Sequence, residues 1–222
     1  MADMTTSSTA EVYRVDITLH RDVAITPELN LIKRSLDELD FLETVNSLPV
    51  LSDETVLDNA IRRYEQSWMP LASTIDGDAI SEFASPLDVH WVWHCHLLAP
   101  HNYENDCARL TGKVLDHVVR SKSDLVAWHQ KTEPLWRQRY PDAPFEVDLS
   151  DRTKLSIGIR YYQPICSYGV IRQLNFFYQV SLPHFRCHTF LKNFINRYKK
   201  FLFLRKCKPD ALLVPCYDID LI

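Results

Sequence analysis

Apolar residues recur along most of this chain at three- and four-residue intervals, the spacing of helices with one buried face. Residues 1–9 are small and polar and are expected to fray. Val12 to Leu19 fits two templates: Val15, Ile17 and Leu19 alternate as in a strand, while Val12, Val15, Leu19 and Val23 fit a helix. Thr26-Pro27 has the form of a helix start, a hydroxyl cap followed by proline in the first turn. The apolar stripe Leu29, Ile32, Leu36 and Leu39 follows it. Ser52 is expected to open a second helix with the face Leu57, Ala60, Ile61, Tyr64 and Trp68, and Pro70 and Gly77 to end that region.

A third helix is predicted from Ser85-Pro86-Leu87-Asp88, with Ser85 as cap and Asp88 where a capping-box acid falls. Pro100 must break or kink it, because proline lacks an N–H and crowds the preceding turn. Another helix fits His101 to Thr111 with Gly112 as its stop. Ser123 to Arg139 is helical with Leu125, Val126, Trp128 and Trp136 apolar, and Pro134 is expected to bend or split it. Leu155 to Tyr161 fits a short strand. Helical patterns resume over Ser167 to Val180. They continue through Cys187, Phe190, Leu191, Phe194, Ile195, Tyr198 and Phe201. The class is mainly α, a multi-helix domain with at most a little β. Pro- and Asp-rich residues 141–153 form a connector between regions 10–140 and 154–222.

Composition narrows the chemistry. The 222 residues include only 4 Gly, well under the usual share of about 7%. That argues against a glycine-rich phosphate loop and a turn-dense β-sandwich. No basic stretch precedes an apolar core at the N-terminus, and no apolar run is long enough to span a bilayer. An intracellular chain, cytoplasmic or nuclear, is expected. Its six scattered cysteines then read as free thiols and not as a disulfide framework. The net charge of −4 conceals a division: residues 1–110 carry a balance of −12 and residues 111–222 one of +8. Halves of opposite sign attract each other. From His184 to Lys208 there is no acid against eight Lys and Arg, which suits either a solvated face or an acidic surface, nucleic acid included.

Chemistry concentrates in Ser85 to Cys107. Four of the nine histidines fall between positions 90 and 101. Asp88, His90, His94, His96 and His101 are the candidate metal ligands, for a divalent ion such as zinc or iron. His90 and His94 lie one turn apart on one helix face and are placed to share an ion. His96 lies about 200° from His94, so both meet one ion only if the helix distorts between them. Position 91 is Trp where a zincin requires Glu, and the zinc-deaminase and zinc-finger spacings are absent. The competing reading is a core one, with His and Trp packed and hydrogen-bonded to each other. Asp88 likewise divides between a capping acid and a site residue.

Two short patterns recur in order. Ile61-Arg62-Arg63-Tyr64 with Trp68 parallels Ile195-Asn196-Arg197-Tyr198 with Leu202, 134 residues later. Asp88-Val89-His90-Trp91-Val92 parallels Asp218-Ile219-Asp220-Leu221-Ile222, 130 residues later. Both indicate an internal duplication.

The segment PLDVHWVWHCHLLAPHNYENDC resembles the hallmark of the glycine-rich domain-containing protein-like family, as do RRYEQSWMPL, RQLNFFYQVSLPHF and LVPCYDIDLI. The resemblance implies a duplicated region without an assigned reaction. It also implies a longer chain, because family members continue past the second Asp-x-Asp-Leu into another Trp-His-x-His stretch and a glycine-rich tail. The apolar end from Ala211 to Ile222 gives a second reason to expect truncation. The reading that follows is a helical interaction module with a protein partner. Alternatives are metal binding or metal-dependent catalysis through residues 88–101, and nucleic-acid or acidic-surface binding through residues 184–208.

Overall fold

A computed structural model describes residues 31–75, 77–117, 121–151 and 165–208. Three expectations lie outside these residues: the Val12–Leu19 element and Thr26-Pro27 helix start, the Leu155–Tyr161 strand, and the apolar end. Every regular element among the described residues is helical. They are α1 (Leu31–Asn46), α2 (Glu54–Arg63), α3 (Met69–Ser73), α4 (Leu87–Leu97), α5 (Pro100–Thr111), α6 (Lys122–Arg139), α7 (Ile165–Val180) and α8 (His188–Cys207). No helix among the described residues is long and apolar enough to cross a membrane.

Local chemistry places these boundaries, in several cases not where the sequence suggested. Asp53, and not Ser52, caps α2 by accepting the backbone N–H groups of Thr55 and Val56. Pro49–Ser52 forms a 3-10 turn before it. Pro70 does not end the region. A π turn at Tyr64–Trp68 joins α2 to α3, and Pro70 lies in the first turn of α3, where helices tolerate proline. Ser85 does not cap α4; Pro86 holds that position without a side-chain hydrogen bond. Pro100 separates α4 from α5 as expected, and Gly112 ends α5 at φ 73°, a left-handed conformation that suits glycine. Ser121 caps α6, which runs through Pro134 without splitting. Val126 is exposed there, whereas Trp136 is fully buried.

The predicted apolar faces form the core. Leu57, Ala60, Ile61, Tyr64 and Trp68 are all buried, and α4 is buried on nearly every side. A smaller cluster joins Leu39 of α1 to Val180, Phe185, Leu191 and Phe194. The duplication extends to whole elements at a constant shift of 134: Leu31–Asn46 matches Ile165–Val180, Pro49–Ser52 matches the 3-10 turn Pro183–Arg186, and Glu54 matches His188. Packing is reciprocal. α1 meets α7, α1 meets α8, and α2 meets α7, the pattern produced by a two-fold relation between repeats. α7 also packs along α4.

Candidate functional site

The histidine segment forms α4, enclosed by α1, α2, α5 and α7. Its side chains divide into three separate groups.

The first centres on a residue the histidine pattern did not include, Arg63 of α2. Arg63 Nη1 donates to Asp88 Oδ2 at 2.6 Å, with both side chains buried. Arg63 Nη2 donates to the carbonyls of Phe145 and, at 3.3 Å, Pro144. The guanidinium lies over Trp136 of α6, 5.6 Å from the ring centroid. Trp136 Nε1 donates to Ala143 O at 2.9 Å, so the 143–145 backbone is held from two directions. Burial pushes Asp88 upward and Arg63 downward, and each charge pulls the other partly back. Desolvation therefore outweighs the mutual attraction. Asp88 thus joins the start of α4 to α2.

His90 and His94 form the second group. They share a helix face, as the spacing requires, and both rings lie against Phe41 of α1, at 4.9 and 5.2 Å. His90 also lies 5.0 Å from the ring of His117. His94 stacks on Trp91 at 5.7 Å, with Nε2 3.4 Å from Gln173 Oε1 of α7 and 3.5 Å from Glu38 Oε1 of α1. It stands where three helices meet.

His96 faces elsewhere and forms the third group. Its Nδ1 is 3.0 Å from the Tyr64 hydroxyl on the π turn, and its Nε2 is 3.3 Å from Asp106 Oδ2 on α5. Burial lowers its proton affinity, and Asp106 restores part of it. Beside this relay, burial and then Asp106 raise Glu65 to about 7, with Arg109 opposing. Trp93 Nε1 donates to Tyr103 OH at 3.0 Å, and that hydroxyl donates to Leu115 O at 2.6 Å. His101 is exposed at the start of α5, across the Pro100 break.

The break at Pro100 thus brings neither His96 nor His101 onto the His90–His94 face. Among the described residues no three His, Cys, Asp or Glu side chains converge as a metal site would need. Asp88 instead meets α2, His90 and His94 share Phe41 of α1, and His96 meets the π turn and α5. Phe41, Tyr103 and Asp106 left no signal, because single residues on other helices form no pattern. Arg63 and Tyr64 did leave a signal, the repeated Arg-Tyr before a repeated Asp.

These features define a duplicated, mainly helical domain whose first repeat is tied together around a histidine- and tryptophan-rich helix. A sequence profile of the glycine-rich domain-containing protein-like family matches residues 11–106 and again 102–222. The chain belongs to that family. It is 37% identical over 207 residues to glycine-rich domain-containing protein 1 of Arabidopsis thaliana, covering 87% of this chain and 25% of that protein. Glycine-rich domain-containing protein 2 of the same plant is 35% identical over 205 residues, covering 87% and 26%. The chain thus spans about a quarter of the length of these relatives. No solved structure matches.

Proposed function

We propose that this chain is a helical interaction module that presents the basic surface of α8 to an acidic protein partner. In this reading α4 is an internal brace, and residues 141–153 connect the two repeats. The observation that carries it is the charge on α8: Lys192, Lys200, Arg205 and Lys206 are exposed, and the helix contains no acid, in a chain whose net charge is −4. Such a one-signed surface raises the encounter rate with an opposite one and loses that gain as salt rises. The pairing of Asp88, His94 and His96 with other helices supports the brace.

The test is chemical crosslinking in extract with the full chain and a Lys200→Glu/Lys206→Glu variant, with and without nuclease. The reading expects a protein crosslink that the charge reversal abolishes and nuclease leaves intact. A crosslink lost on nuclease treatment assigns the surface to nucleic acid instead. One that survives charge reversal overturns α8 as the contact. The metal reading rests on the same segment, Asp88 to His101. Stoichiometric zinc or iron in purified full-length relatives, lost on His94→Ala, would displace the brace.

A further inference from the structure

α7 repeats α1 at the shift of 134 residues, and the two helices carry one matching face in different states. On α1 that face holds Asp37, Glu38, Phe41 and Thr44. α4 lies against it: the rings of His90, Trp91 and His94 stand 4.9, 6.0 and 5.2 Å from the Phe41 ring, and His94 Nε2 is 3.5 Å from Glu38 Oε1. Asp37 is buried there, and Glu38, Phe41 and Thr44 are half-buried. The shift carries these four positions to Ile171, Arg172, Asn175 and Tyr178 of α7, and all four are exposed. Tyr178 is 82% exposed, Ile171 58%, and Leu182, just past the helix end, 53%. Ile171, Asn175 and Tyr178 lie within about 60° around the helix, opposite the buried Val180, and Arg172 borders them. The face that meets a helix on α1 is open on α7.

We infer that this face of α7 is a docking site for an amphipathic, acidic helix of a protein partner. The helix seats its apolar side on Ile171 and Tyr178 and turns a carboxylate to Arg172. The site goes beyond the basic surface of α8: it lies on another helix and is tested separately. Three observations select the occupant. The first repeat supplies the precedent, since a helix, α4, lies against the matching face of α1. The charge is inverted: His94 of α4 faces Glu38, and Arg172 stands at the position matching Glu38, so the complementary group is an acid. The surroundings favour the same sign. Residues 165–208 contain no Asp or Glu. On α1, which packs on α7, Asp37 is paired with Lys33, and Asp40 and Glu43 with Arg186. Two copies joined through this face would bring two acid-free surfaces together and repel. Tyrosine is also among the residues that most often anchor protein contacts.

The test is fluorescence anisotropy of the full chain with a dye-labelled peptide of about 20 residues, long enough to be helical, with Leu on one face and Glu on either side of it. The peptide is expected to bind, and its counterpart with Lys in place of Glu is not. Arg172→Glu and Tyr178→Ser are each expected to weaken binding about tenfold or more. Both residues are exposed, so the variants keep the fold, and unchanged circular dichroism checks this. The Lys200→Glu/Lys206→Glu variant is expected to keep the binding; its loss there moves the contact to α8 and overturns the site. No binding of the Glu peptide, or binding that neither α7 variant weakens, also overturns it. Co-sedimentation with phosphatidylserine–phosphatidylcholine vesicles that Tyr178→Ser abolishes assigns the face to a lipid surface instead. A dimer that Tyr178→Ser dissociates assigns it to a second copy. Either result overturns the partner helix.

Discussion

At the scale of single residues, Arg63 carries the most. It joins α2, the start of α4, the α6 tryptophan and the 144–145 backbone through one guanidinium. Replacing it with alanine leaves the buried Asp88 carboxyl without its cation, and should cost about 3–5 kcal/mol in urea unfolding. Replacing both partners, Arg63→Met with Asp88→Leu, removes both charges and should recover most of that loss. Glu65 supplies a pH signature. A carboxyl whose affinity for protons rises on folding stabilises the fold while protonated. The contribution is complete below its ordinary value of 4.5 and is lost as pH rises through about 7. Glu65→Gln should therefore be more stable than the parent at pH 8 by about 1 kcal/mol after allowance for partial solvent screening, and the gap should close at pH 4. Buried His96 acts in the opposite sense: its proton affinity falls on folding, so its contribution is present above pH 6.5 and is lost as pH falls. Measuring both pH profiles separates the two groups.

At the scale of elements, the helices were legible because their signals are local. The period of three to four, the proline starts and the glycine stop at Gly112 all act within a turn or two. The starts lie within a residue or so of the expected ones: Asp53 caps α2 in place of Ser52, and α6 begins at Lys122 where the helical pattern began at Ser123. Pro70 misled because a π turn is not visible in apolar spacing. How closely helices approach is also set locally. Gly169 of α7 faces α4, where an added Cβ would meet Cys95 Cβ at 3.4 Å, an ordinary contact. Gly169→Ala should therefore stabilise the chain by about 0.5–1 kcal/mol through helix propensity alone. Gly169→Leu should lower stability by about 1–3 kcal/mol by forcing α7 from α4. Chemical denaturation of the two variants checks both signs, and a loss with alanine would show that the helices tolerate no separation.

At the scale of the molecule, the charge division has a visible contact. Arg186, from the basic half, bonds Asp40 and Glu43 of α1 at 2.6 and 2.8 Å. The pairs are exposed, so they contribute at most about 1 kcal/mol and orient the repeats more than they hold them. The amino-acid sequence alone determined the helical class, the duplication and the family, because periodicity and repeated motifs survive without knowledge of contacts. It also determined that His90 and His94 share a face, since helix geometry allows nothing else. Only the tertiary structure decided what the histidine segment touches. Asp88 meets Arg63, His94 meets Glu38 and Gln173, and His96 meets Tyr64 and Asp106. Those partners come from four other helices. Their convergence depends on crossing angles and the α4–α5 break, which involve residues far apart in the chain and leave no periodic trace within it.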